Sequence, residues 1–186
     1  LPVVFAVDRG GLVGADGTTH QGLFDLSFLR QIPEMSLMAP RDEAELVRML
    51  RTAVGAGRPV AIRYPRGSGP GAAIPSGPGP GMVAWGKGEL LAEGKDVLLI
   101  GIGSTVATCL EAAEELRNQG VSAAVVDARF VKPLDADLLL PLVHRIGRVV
   151  TVEENLLLGG FGSAVMGLIE EHDEHPQRFH RIGVRA

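Results

Sequence analysis

Short apolar runs alternate with longer stretches of helical spacing along most of this chain. Residues 3–7, Val-Val-Phe-Ala-Val, are β-branched and aromatic and read as a buried strand. Residues 23–32 put Leu23, Phe24, Leu26, Phe28, Leu29 and Ile32 on one broad helical face, which Pro33 stops. A short run at 36–39 precedes Pro40-Arg41-Asp42-Glu43, a helix start with acidic residues in its first turn. Ala44, Leu46, Val47, Leu50, Ala53 and Val54 keep helical spacing until Gly55 and Gly57, and residues 60–64 are strand-like again. The order strand–helix–strand–helix–strand predicts a parallel sheet with right-handed crossovers.

Residues 67–81 interrupt the alternation, with six glycines, four prolines and no charge. Such a stretch reads as a linker, extended where its prolines fall. It divides the chain into 1–67 and 82–186, with 68–81 between them. The second part is expected to open with an edge hairpin, 82–85 with 89–92. Strands at 97–102, 123–127, 148–152 and 179–184 then alternate with helices at 105–119, 135–146 and 161–172. The prediction is α/β throughout: two layered units, the second a complete α/β layer of its own.

Composition narrows the picture. Aromatic residues are 4% of 186, so the core is aliphatic, which favours layered α/β over an aromatic-rich sandwich. A net charge of -4 without a long basic run excludes nucleic acid and acidic membrane surfaces as expected partners. The one cysteine, Cys109, excludes an intrachain disulfide and points to a reducing compartment. With Val106, Leu110 and Ala113 around it, Cys109 reads as a buried helix residue. The apolar stretch 97–110 is too short and too rich in Gly, Ser and Thr to span a bilayer. The first residues carry no basic region and enter a core strand directly, so the expectation is an interior piece of a longer protein.

Several motifs have a structural and a functional reading. Gly101-Ile102-Gly103 lies between a strand and a helix, but the dinucleotide fingerprint needs a small residue where Val106 stands; a tight turn accounts for it better. Gly159-Gly160-Phe161-Gly162-Ser163 precedes a helix and suits an anion or, preferably, close packing. His172 and His175 flank Asp173 and Glu174, which a polar helix end explains without a metal. His144 and His180 read as structural. Glu153 and Glu154 are either catalytic carboxylates or a cap and partner surface.

The loop Asp-Arg-Gly-Gly-Leu-Val-Gly-Ala-Asp-Gly-Thr-Thr-His-Gln-Gly (8–22) is different, because its features converge. Arg9 follows one strand end and Arg66 another. If both strands share a parallel sheet, both arginines leave its carboxyl edge, where open α/β sheets bind ligands. Two rigid guanidinium forks suit a phosphate or carboxylate. Asp16 is placed to bind a hydroxyl or orient His20, and His20 to move a proton near neutral pH. The alternative is a polar loop closed by an Arg9–Asp16 ion pair.

That loop, together with Phe-Asp-Leu-Ser-Phe-Leu-Arg-Gln-Ile-Pro (24–33), Arg-Tyr-Pro-Arg-Gly (63–67), Asp-Ala-Arg-Phe-Val-Lys-Pro-Leu-Asp (127–135) and Thr-Val-Glu-Glu-Asn (151–155), resembles the 1-deoxy-D-xylulose-5-phosphate synthases. These are transketolase-like thiamine diphosphate enzymes, and the resemblance runs in order over nearly the whole chain. Transketolases and 2-oxo acid dehydrogenase β-type subunits share parts of the layout. Transketolases are similar in Gly-x-Asp-Gly-x-Thr-His but lack Tyr-Pro-Arg-Gly.

The resemblance implies that 1–67 is the C-terminal part of a pyrimidine-binding domain. It makes 82–186 a transketolase C-terminal-like domain with a mainly parallel five-stranded sheet, lacking a tail of Pro-Asp-x-Phe type. It implies an enzyme that uses thiamine diphosphate and Mg²⁺ to decarboxylate pyruvate and join the two-carbon unit to glyceraldehyde 3-phosphate, for isoprenoid, thiamine and pyridoxal synthesis. It gives Arg9 and Arg66 the aldehyde's phosphate, Asp16 its hydroxyls and His20 a proton transfer. It further implies a cytoplasmic homodimer, or one in the plastid stroma of a plant. The family's Gly-Asp-Gly…Asn site for diphosphate and Mg²⁺ is absent from this sequence, and its activating glutamate is expected upstream of residue 1. The resemblance therefore implies a cofactor held by residues outside this chain, no metal ligand within it, a partnering N-terminal portion, and no activity from the chain alone. A non-catalytic dimerisation module is the remaining alternative.

Overall fold

A computed structural model describes residues 1–17, 19–74 and 81–185 of the chain. Thr18 and, within the expected linker, residues 75–80 lie outside the described residues, as does Ala186.

Three short apolar strands begin the first sheet: β1 (Val4–Val7), β2 (Ser36–Met38) and β3 (Val60–Arg63). Helices α1 (Asp25–Leu29) and α2 (Glu43–Gly55) make the crossovers. All three strands are parallel in the order β1-β3-β2, with Val7 beside Arg63 and Ser36 beside Val60. Asp42 fixes the start of α2 by accepting a hydrogen bond from the Glu45 amide at 2.7 Å, the usual N-cap arrangement.

The second part contains β4 (Glu89–Ala92), β5 (Val97–Gly101), α3 (Thr105–Asn118), β6 (Ala123–Asp127), β7 (Phe130–Lys132), α4 (Ala136–Ile146), β8 (Arg148–Leu156), α5 (Phe161–Glu171) and β9 (Arg178–Val184). Five of these strands form one sheet in the order β4-β6-β5-β8-β9, parallel except at β4. This is the mainly parallel five-stranded sheet that the resemblance implied.

Three elements depart from the sequence reading. Strand β1, expected to be buried, is the edge strand of its sheet and leaves Phe5 exposed. The expected hairpin is absent, since residues 82–85 form no strand and β4 pairs with β6 instead. Packing explains this. Val83 is buried with Met49 and Ile62, and Trp85 meets Phe130 edge-on at 5.7 Å with the Arg58 guanidinium over its ring. The second part is also not a layer complete in itself. Its strand β7 joins the first sheet, antiparallel to β2 with Leu37 beside Lys132. Lys132 anchors it by donating to the carbonyls of Arg30 and Ile32.

The core is continuous across this join. Leu26, Leu29, Leu37 and Ala61 pack in one buried cluster with Leu98, Ile100, Val126, Leu139 and Phe161. The outer faces are covered by α2 on the first sheet and α3 on the second. A seam of charge runs beside the core. Arg41 pairs with Glu89 at 2.6 Å and Asp127 at 3.1 Å, while Arg129 makes a two-pronged pair with Glu45 at 2.8 and 3.0 Å and also reaches Glu89. Burial, with the Glu45 carboxylate nearby, pushes Asp127 up from 3.8 to about 7.

Candidate functional site

Because β1 and β3 are parallel neighbours, the chain leaves both at one sheet edge. That places Arg9 and Arg66 together, as the sequence reading required. Between β1 and α1 the loop 8–22 is pinched shut at its neck. The Gly11 amide donates to the Gly22 carbonyl at 2.8 Å and the Gly22 amide to the Gly11 carbonyl at 3.0 Å. Only glycine fits here. A Cβ on Gly22 would strike the Arg9 carbonyl, and one on Gly11, at φ +89°, would strike the Glu154 carboxylate. Arg9 itself sits at φ 55°, a left-handed conformation that costs a non-glycine residue on the order of 1 kcal/mol.

The tip of the loop is folded by Gln21, which the sequence reading missed. Its Oε1 accepts from the Val13 amide at 2.6 Å, and its Nε2 donates to the carbonyls of Val13 and Gly17 at 3.0 and 2.7 Å. These bonds support the 3-10 turn Gly14–Asp16 that carries the aspartate.

Asp16 lies between the two arginines. Arg9 Nε donates to its Oδ2 at 2.8 Å, and the Arg66 guanidinium pairs with its Oδ1. The Asp16 side chain is 12% exposed, whereas those of Arg9 and Arg66 are 45% and 49% exposed. The Arg9–Asp16 pair weighed as an alternative is thus present, and Arg66 joins it. With an arginine on each oxygen, Asp16 does not orient His20. The exposed His20 ring instead has Nδ1 3.0 Å from Thr19 Oγ1. His20 and Arg9 line a cleft of about 270 Å³ with Gln21, Phe24 and Phe28. Arg66 lines a second cleft, of about 490 Å³, with Arg41, Glu43, Tyr64 and Ser104; Asp8 lies on both.

The remaining motifs are structural. Gly101 lies against Val106 and Cys109, and Gly103, at φ +63°, against Ala39, so these glycines serve close packing. Burial pushes the Cys109 thiol up to about 12 and leaves it inert. Glu153, not an external anion, takes the start of α5, accepting from the Phe161 and Gly162 amides at 2.7 and 2.8 Å. Ser104 donates to the Glu154 carboxylate at 3.2 Å, and Asn155 donates to Ser27 Oγ at 2.9 Å. The exposed His175 lies 3.2 Å from Asp173 and the exposed His144 3.3 Å from Glu174. No group of three or more His, Cys, Asp or Glu side chains is placed to hold a metal among the described residues.

The sequence reading also gave no role to Arg63. Its side chain is 2% exposed and pairs with Asp25 at 3.0 Å. The available signal was a charge continuing the buried run Val60-Ala61-Ile62, since a buried charge needs partners.

Two family models match the chain: "Transketolase, pyrimidine binding domain" over residues 1–71 and "Transketolase, C-terminal domain" over 86–186. A 1-deoxy-D-xylulose-5-phosphate synthase of Syntrophus aciditrophicus is 54% identical over 100% of this chain and 28% of its own length. One of Halothermothrix orenii is 52% identical over 99% of this chain and 29% of its own. The chain therefore spans less than a third of the length of these curated relatives. Among solved structures, a split-gene transketolase described as an inactive β4 tetramer is 34% identical with a TM-score of 0.85. It covers 98% of this chain and 57% of its own.

Proposed function

The chain belongs to the transketolase family, and from that premise we propose that it forms the acceptor side of a 1-deoxy-D-xylulose-5-phosphate synthase site. The reaction is the decarboxylation of pyruvate and the joining of its two-carbon unit to glyceraldehyde 3-phosphate, a precursor step for isoprenoids.

The observation that carries this reading is the convergence of Arg9 and Arg66 on one carboxylate. Two guanidiniums that can share the oxygens of Asp16 can share those of a phosphate. In this proposal Arg9 and Arg66 hold the aldehyde's phosphate, Asp16 meets its hydroxyls and sets the spacing of the arginines, and His20 transfers a proton at the carbonyl oxygen. The exposed His20 ring, in the same cleft as Arg9, suits that role.

Thiamine diphosphate, the cofactor of the proposed enzyme, would supply the electron sink for decarboxylation. The side chains described here do not fit Mg²⁺, since no three of the ligating type converge and Glu153 is engaged by α5. No step of this proposal passes through the metal, and holding both groups falls to other residues. A homodimer is proposed as the working assembly, supported by the exposed apolar side chains Phe24, Phe28 and Leu158 and by the likeness to an oligomeric transketolase. A cytoplasmic location is proposed from the bacterial relatives; among the described residues no helix is long and apolar enough to cross a membrane.

The test is substrate choice in the intact enzyme that carries this chain. Carbon dioxide release is expected from pyruvate with glyceraldehyde 3-phosphate. Turnover of xylulose 5-phosphate with ribose 5-phosphate, and none of pyruvate, would point to a transketolase instead.

A further inference from the structure

The loop that carries Arg9, Asp16 and His20 is held at its neck by one buried side chain. Arg63 Nε donates to Asp25 Oδ2 at 3.0 Å. Its Nη2 donates to the Gly22 carbonyl at 2.9 Å and to the Glu154 carbonyl at 2.6 Å. The same guanidinium lies so close against Gly10 that a Cβ there would overlap it. One buried group therefore touches both sides of the loop neck, the first turn of α1, and strand β8 of the second sheet.

The surroundings make these contacts hard to replace. The Gly22 carbonyl also receives the Gly11 amide, so Arg63 and the neck bridge share an acceptor. Asp25 is itself fixed, since its other oxygen accepts from the Leu26 amide at 2.9 Å. Glu154 presents its carbonyl to Arg63 and its carboxylate to Ser104, and that carboxylate also lies against Gly11. The neck is thus clamped between Arg63 below and Glu154 beside it.

We infer that Arg63 is a positioning residue of the acceptor site, which sets where the loop presents Arg9, Asp16 and His20 and ties that placement to β8 of the C-terminal part. It touches no substrate. The role in acceptor binding rests on the function proposed above; the role in holding the neck does not. A lysine here keeps the charge beside Asp25 but lacks the planar fork that reaches two carbonyls at once. Loosening the neck spreads the loop over several placements, so the aldehyde binds more weakly while the step on pyruvate alone is spared.

The test uses the intact enzyme with Arg63→Lys and Arg63→Gln, read by amide hydrogen exchange and by kinetics. The Gly11 and Gly22 amides are expected to exchange about tenfold faster, the loss of one charge-assisted hydrogen bond, with the amides of β3, β5 and β8 still protected. KM for glyceraldehyde 3-phosphate is expected to rise by about the same factor and kcat of the condensation to fall as His20 loses its placement, with carbon dioxide release from pyruvate alone retained, and Lys to do less harm than Gln. Unchanged exchange at Gly11 and Gly22 would overturn the inference. So would an equal loss of protection across both sheets, which would make Arg63 a core residue only. Arg9→Ala is the control. If it leaves the aldehyde KM unmoved, the phosphate reading has failed, and the exchange result alone decides the role of Arg63.

Discussion

At the carboxyl edge of the first sheet, Arg9 and Arg66 are roughly half exposed and share one carboxylate. At the same edge of the second sheet, Asp127, Glu153 and Asn155 are buried, and each is engaged by neighbours in the fold. Both edges carry charged residues among glycines, so composition alone ranks them equally. Capacity separates them. The buried carboxylate of Glu153 satisfies two amides that would otherwise lack acceptors. The guanidiniums of Arg9 and Arg66 have fork donors and solvent contact with which to meet a ligand. Polar groups at a strand end mark a site when the fold leaves them unsated, and hold the fold together when it does not.

The largest effect expected at the open edge is that of His20→Ala, a loss of about a hundredfold or more in kcat of the intact enzyme. A full rate would leave His20 a binding or structural residue. Arg9→Ala is expected to raise KM for glyceraldehyde 3-phosphate by roughly tenfold to a hundredfold, the loss of hydrogen bonds to a charged group. At the closed edge, Glu153→Ala should cost about 2 kcal/mol in chemical denaturation, because the Phe161 and Gly162 amides become buried donors without an acceptor. The aldehyde KM should not move with it. A shift in KM without a loss of stability would break the distinction between the edges.

A separate effect concerns pH. Asp127 holds its proton to about pH 7 in the fold and to about its ordinary 3.8 when unfolded. The folded state binds the extra proton between these values, so stability from this group falls as pH rises from about 4 to about 7 and is level above. The difference in thermal midpoint between the parent and Asp127→Asn should therefore change across that window. A constant difference would show that Asp127 titrates normally.

The strand and helix order was legible because most elements have unambiguous periodicity. Strand β7 was not, because three residues between Asp127 and Pro133 give no period to read; it is defined by Lys132 and Phe130 finding partners in the first sheet. The stretch 82–85 misled for a related reason. Its apolar residues suit a strand, but tertiary packing of Val83 and Trp85 overrode that preference. Arg9, Arg66 and Asp16 could be grouped from two strand ends alone, and they lie together. With only three residues between it and His20, Asp16 reads as a group that binds a hydroxyl or orients His20, but its carboxylate turns to the two arginines, and Gln21 supports the turn that carries it. Arg63 was hidden by its position, since a charge at the end of an apolar strand looks like solvent contact until Asp25 and the Gly22 and Glu154 carbonyls are seen around it.

The proposed phosphate recognition rests on the two arginines at the first edge. It is tested most directly by comparing glyceraldehyde 3-phosphate with unphosphorylated glyceraldehyde as acceptors for the parent enzyme and for Arg66→Ala. In Arg66→Ala the preference in kcat/KM for the phosphorylated acceptor is expected to fall by about tenfold or more, with the unphosphorylated one little changed. An unchanged preference, with both acceptors slowed alike, would contradict it.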